Sequence, residues 1–273
     1  MKPLFGNNSY PSLAREIFGI EFRHPIGLPP GFLPDGDHVS AFRKYSFVEV
    51  GPLTVLPQGD SVTHGLFRKR SVKDGMADNR GVGYAIQRLN RTELGTTVAA
   101  NLAPSFVHRS TEEIVRDLTT AFTMMYDFAD MFVIDTFRAN CDGSVALQNI
   151  DILSEVLDSI LDMRTCYEDP KPILVRVLPS ISRSVLGEIL DYMRLYGVDG
   201  IVAGYRDYPV DLVRDISAMT KGRYPVVACG GVDDPLKAAG LLSAGADLVQ
   251  AAVSPRRILK YLDSTAHGAA PSK

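Results

Sequence analysis

The sequence predicts an α/β protein, a single-domain (β/α)8 TIM barrel, on three observations. Short apolar runs recur eight times, helical patterns lie between them, and the last four runs are spaced like single βα units. The runs are PIGLP (25–29), FVEVG (47–51), VAANL (98–102), MFVID (131–135), PILVRV (172–177), GIVAG (200–204), PVVACG (225–230) and LVQAAV (248–253). They are continuous rather than alternating, as expected of parallel strands covered on both faces. The last four centre near 175, 202, 227 and 250, a spacing of 23–27 residues.

The helical stretches carry their own signals. Ser110 with Glu113 reads as a capping box, ahead of a face made by Ile114, Leu118, Phe122 and Met125. Leu153, Leu157, Ile160 and Leu161 form a stripe in the next helix. Gly197 reads as a C-cap glycine, and Asp234 followed by Pro235 as a helix start. An open doubly wound sheet is the alternative, but it expects a GxGxxG after the first strand, which is absent.

With 273 residues, 45% of them hydrophobic, the chain holds enough apolar material for one large core. It is read as a single domain, 1–273, with a core of about 13–264 and a disordered tail at 265–273. Twenty-nine basic against 32 acidic residues give a net charge of −3, which argues against nucleic-acid binding. Cys141, Cys166 and Cys229 are odd in number and form no CxxC, so neither a disulfide framework nor a zinc ribbon is expected, and the cytoplasm is the expected compartment. The N-terminus lacks a signal-peptide core, and no apolar run approaches the roughly 18 residues that span a bilayer. His24, His38, His64, His108 and His267 form no HxH or HExxH pair, so no metal site is expected; His64, in the long insertion, reads as a surface-loop residue, with gating of the site as the alternative.

Two long segments, 52–82 and 136–149, leave the C-terminal ends of strands, where barrel active sites are built. At the same end, Gly230-Gly231 follows the seventh run, and Ser254 the eighth. Adjacent glycines let a backbone approach a ligand and aim its N–H groups at phosphate oxygens. The plainer reading is a tight βα turn. The position, at the usual phosphate grip of barrels, favours phosphate.

Several segments then match a known family. LAREIFGIEFRHPIGLPPGFLPDGD, FVEVGPLTVLPQGD, VAANLA, DGIVAGY and YPVVACGGVDDPLKAAGLLSAGADLVQ together resemble the class 2 dihydroorotate dehydrogenases, over about residues 13–262. The resemblance implies FMN lying across the C-terminal mouth. Gly31, with Pro30 before it, would lie beside the isoalloxazine, Asn101 would contact the flavin, and Gly230, Gly231 and Ser254 would serve the phosphate. Arg176 stands where the family has a lysine near the N1/O2 edge; a cation there stabilises reduced flavin, but arginine keeps the charge and not the shape. Arg176 also reads as an inward barrel residue paired with a carboxylate such as Asp135, and the two readings are compatible.

The substrate side departs from the family. Its strand-4 motif is here Ile134-Asp135-Thr136-Phe137-Arg138-Ala139-Asn140. Asp135 replaces the substrate asparagine, and Arg138 replaces the serine or cysteine base, though an arginine cannot accept a proton. Asn140 matches the motif's last asparagine, and Cys141 reaches the site only if the loop is re-registered. Pro34 replaces a lysine, Tyr205-Arg206 an Asn-Thr pair, and either Asp78 or Asn79 the first asparagine of another motif. Arg80, Arg138 and Arg206 read either as a cluster for a different carboxylate or phosphate or as solvated loop charges.

The expectation is an FMN-dependent oxidoreductase whose small anionic substrate is not dihydroorotate, with acid–base help from water, Tyr205 or Cys141. The N-terminal segment is too short for the family's membrane anchor, and a homodimer is compatible with the chain. A flavin-free barrel enzyme with a phosphorylated substrate is the alternative, favoured by Pro29-Pro30, Pro52 and Ser254; a non-catalytic homologue is the third reading.

Overall fold

The computed structural model describes residues 10–58, 79–89, 94–105, 110–136 and 146–266. Arg138, Asn140, Cys141, His64, His108, His267 and Asp78 lie outside them.

The chain opens with an antiparallel hairpin, β1 (Arg15–Ile17) and β2 (Ile20–Phe22). Its two turn residues, Phe18 and Gly19, both have positive φ (59° and 73°), the backbone of a turn that matches the twist of a tight hairpin. Eight parallel strands follow: β3 (Ile26–Leu33), β4 (Phe47–Leu53), β5 (Thr97–Leu102), β6 (Met131–Asp135), β7 (Ile173–Val177), β8 (Gly200–Ala203), β9 (Val226–Cys229) and β10 (Leu248–Gln250). They pair in sequence order, and β10 closes on β3, so the barrel has no free edge. Each strand coincides with one of the eight predicted runs.

The helices are α1 (Val82–Leu89), α2 (Thr111–Met125), α3 (Ile150–Arg164), α4 (Arg183–Tyr196), α5 (Val210–Thr220), α6 (Pro235–Ser243) and α7 (Pro255–Ala266). Only a 3-10 turn, Val39–Phe42, connects β3 to β4. The predicted caps form: Ser110 accepts from Glu113 N at 3.3 Å, Asp234 from Lys237 N at 2.9 Å, and Gly197 ends α4 with φ 80°. The predicted apolar faces of α2 and α3 are buried. Thr265 and Ala266, expected in a disordered tail, end α7; residues 267–273 lie outside the described set. Among the described residues, no helix is long and apolar enough to cross a membrane.

The barrel interior is filled from below. Phe22, Phe47, Ala99, Met131, Val133, Leu174, Val202, Val227, Cys229 and Leu248 form a cluster separate from the larger core between strands and helices. The hairpin plugs the N-terminal end, with Phe22 edge-on to Phe47 at 5.6 Å. Two strand glycines make room for the rings. A Cβ on Gly27 would overlap Phe47, and one on Gly200 would lie 2.6 Å from Phe18. This floor leaves only the upper barrel for a ligand.

Candidate functional site

Strand alternation puts a polar layer on that floor. Residues two apart on a strand share a face, so Glu49 stands above Phe47, Asn101 above Ala99, Asp135 above Val133, Arg176 above Leu174 and Gln250 above Leu248. All five polar side chains are buried, and Asn101, Asp135 and Arg176 have no exposed surface.

Glu49 is the hub. It forms an ion pair with Arg176, accepts from Asn101 Nδ2 at 2.6 Å and accepts from Gln250 Nε2 at 2.7 Å. Asn101 Nδ2 also donates to Asp135 at 3.1 Å, and Arg176 Nε lies 3.9 Å from that carboxylate. Arg176 Nη1 donates to the Gly204 carbonyl at 2.8 Å. Burial works against the guanidinium's charge, but the pull of Glu49, with Cys229 and Asp135, outweighs it and raises the pKa further. Burial also pushes the Cys229 thiol up to about 12, only partly offset by Arg176, so it is an inert thiol.

Three atoms in this throat have no hydrogen-bond partner: Asn101 Oδ1, Gln250 Oε1 and Arg176 Nε. The amide orientations are forced, because turning either amide over would set its oxygen against a carboxylate. Two acceptors and one donor are therefore left unsatisfied where a missing bond is expensive.

Above the throat, β3 leaves its ladder. Leu28 pairs with Val48 and Leu33 with Val50, so Pro29-Pro30-Gly31-Phe32 bulges opposite Glu49 alone. Prolines have no N–H to lose in such a bulge. Gly31 has φ 87° and is exposed, and nothing lies within 4 Å of where its Cβ would be. The Gly230-Gly231 turn, with φ of 122° and 63°, sits at the end of β9 against the loop after β8. A Cβ on Gly230 would lie 2.9 Å from the Arg206 carbonyl carbon, and one on Gly231 2.9 Å from Tyr208 N. Close packing against the loop after β8 leaves no room for a side chain at either position, and Gly231 is exposed. Ser254 is exposed just before α7.

The predicted arginine cluster resolves unevenly. Arg80 is committed: its N–H donates to Asp35 at 2.7 Å, and its guanidinium lies 4.0 Å from Asp35 and from Asp37 and 4.5 Å over the Tyr84 ring. Arg88 pairs with Asp37 at 2.7 Å. Arg206 is exposed and stacks on Tyr205 at 5.6 Å. Asn79 is buried and braces the loop, accepting from Thr54 and from Gly81 N, both at 2.9 Å. Of the residues expected to serve a cofactor, Asn101, Asp135 and Arg176 meet in the throat, Pro30 and Gly31 lie in the bulge of β3, and Gly230, Gly231 and Ser254 follow β9 and β10. The catalytic candidates Arg138, Asn140 and Cys141 fall outside the described residues.

Sequence reasoning missed Glu49 and Gln250. Each is a polar residue inside an apolar strand run, at an inward position, and that was the available signal. The expected partner of Arg176 was Asp135; Glu49 is the closer one. Among the described residues, no group of His, Cys, Asp and Glu is placed to hold a metal.

Fold and site define a closed parallel (β/α)8 barrel with a charged throat under its C-terminal mouth. No family model matches the chain. It is 26% identical over 271 residues to a dihydroorotate dehydrogenase (quinone) of Christiangramia forsetii, covering 87% of this chain and 78% of that protein. It is 27% identical over 277 residues to the dihydroorotate dehydrogenase (quinone) of Chloroflexus aurantiacus, covering 87% and 76%. DHODH from Eimeria tenella in complex with ferulenol superposes with a TM-score of 0.79 at 18% identity, over 97% of this chain and 88% of that one. The ligand-free form gives 0.77 at 19%, over 95% and 89%. Over most of its length the chain is thus a divergent relative, in sequence and in fold, of the dihydroorotate dehydrogenases.

Proposed function

We propose that this protein is an FMN-dependent oxidoreductase acting on a small carboxylate or carbonyl substrate other than dihydroorotate. The observation that carries this reading is the unsatisfied set in the throat, Asn101 Oδ1, Gln250 Oε1 and Arg176 Nε. A ring edge bearing an N–H beside a carbonyl answers an orphaned acceptor and an orphaned donor together, and the pyrimidine end of a flavin is such an edge. The donor set therefore fits the group. Pro30 and Gly31 would flank the ring, Asn101, Asp135 and Arg176 would lie beneath it, and Gly230, Gly231 and Ser254 would take the phosphate. FMN, when bound, supplies the hydride acceptor. The chain's own residues orient the ring, and the aromatic floor keeps water from reaching it from below.

The changed substrate rests on residue chemistry. Pro34 leaves no cation where the family has a lysine, and Arg138 cannot act as a base. Asn140 is retained as a substrate contact, with Tyr205, Cys141 or water as proton carrier. The relatives are named as quinone-linked dehydrogenases, which supports the reaction class. We place the protein in the cytoplasm, with a homodimer as the assembly to be tested by light scattering.

The complete burial of Asn101, Asp135 and Arg176 favours a second reading, a flavin-free barrel enzyme that grips a phosphorylated substrate at the rim. An absorption spectrum of the untreated protein, followed by heat release and mass identification, decides between them. A flavin band and released FMN are expected. A colourless protein that stays so after incubation with FMN removes the flavin reading.

A further inference from the structure

We propose that Arg206 is the cation that binds the phosphate group of the ligand at the mouth. This deepens the reading of the mouth as a site for a phosphate-bearing ligand and rests on it. Several described guanidinium groups lie at this end of the barrel, and Arg183 is paired with Asp215 on the outside. Arg176 is buried and paired with Glu49. Arg80 and Arg88 share the carboxylates of Asp35 and Asp37. Arg206, Arg256 and Arg257 are exposed and form no ion pair with a described carboxylate; of these, Arg206 is the one whose backbone packs against the Gly230-Gly231 turn, and its guanidinium lies over the Tyr205 ring.

The loop that carries Arg206 is fixed against the glycine turn. Its backbone lies so close to Gly230 and Gly231 that any side chain there would push it away. The same packing holds the Arg206 backbone beside the turn, so its side chain can share an anion with that turn's amides. A phosphate monoester takes a planar two-pronged donor better than a point charge. The nearby acids are largely spent: Asp233 pairs with Lys237 at 2.7 Å, and Asp234 caps α6. Asp207, exposed on the same loop, opposes an anion and serves as a charge control.

The test compares FMN with riboflavin, which lacks the phosphate, by flavin fluorescence quenching, and adds inorganic phosphate by calorimetry. Arg206→Gln should weaken FMN about tenfold or more and leave riboflavin unchanged. Arg206→Lys should recover only part of the loss, and Asp207→Asn should not weaken FMN. Thermal melts confirm that the variants fold. Unchanged FMN affinity, or equal losses for both flavins, overturns the proposal. If neither flavin binds the native protein, the proposed function fails. The Arg206 site then stands if inorganic phosphate binds and Arg206→Gln abolishes that binding, and falls if inorganic phosphate does not bind.

Discussion

Glu49 and Arg176, on the second and fifth strands of the barrel, form an ion pair inside the protein with 1% and 0% of their side chains exposed. Water cannot compensate either charge if the other is removed. Glu49→Gln should therefore destabilise the fold by about 3–5 kcal/mol, and Arg176→Met by a similar amount. Because each single change takes away the partner's nearest counter-charge, the double variant should lose clearly less than the sum. Urea midpoints of the four proteins measure this, and strict additivity would refute the pairing as an energetic unit.

The barrel was legible because parallel strands buried on both faces must be apolar throughout, and all eight runs became strands. The capping box at Ser110 and the proline-opened α6 were legible for local reasons: their signals lie within three residues. The hairpin was not read, because its turn uses Phe18 at positive φ, where a glycine would have signalled it. The throat was half legible. Arg176, Asn101 and Asp135 were singled out, but Glu49 joins Arg176 across 127 residues of sequence, and no local pattern reports such a contact. The pairing of Arg80 with Asp35 and Asp37 was hidden for the same reason.

His24 should make stability depend on pH. Its Nδ1 accepts from Ile26 N at 3.3 Å, which leaves Nε2 to donate to the Lys44 carbonyl at 3.1 Å, so the ring is held neutral. Burial, the largest influence, lowers its pKa from 6.5 to about 4, against the Lys44 hydrogen bond and with help from Arg23. The folded state then binds fewer protons than the unfolded state between those values. Stability is full above about pH 6.5 and falls by about 3 kcal/mol as pH drops to about 4. His24→Gln should flatten that part of the urea-midpoint profile. An unchanged slope would show that other groups produce it.

Gly27 and Phe47 divide one space at the bottom of the barrel. A methyl group on Gly27 would overlap the ring, which is itself pinned by Phe22. Gly27→Ala should cost about 1–3 kcal/mol through overpacking. Phe47→Leu loses apolar burial by itself, yet in the double variant it should relieve the clash, so the two losses should not add. A thermal-melt cycle reads this coupling, and zero coupling would mean that the ring has somewhere else to go.

Gly31 separates binding from folding. Its positive φ makes any side chain costly, but no atom lies within 4 Å of the added methyl. Gly31→Ala should therefore lose only about 1–2 kcal/mol of stability from backbone conformation. If a planar ring lies against this bulge, the same methyl would meet it. Flavin affinity should then fall well beyond what the stability change accounts for, and riboflavin should suffer as much as FMN because the phosphate is not involved. Retained affinity for both would place the ring elsewhere in the mouth.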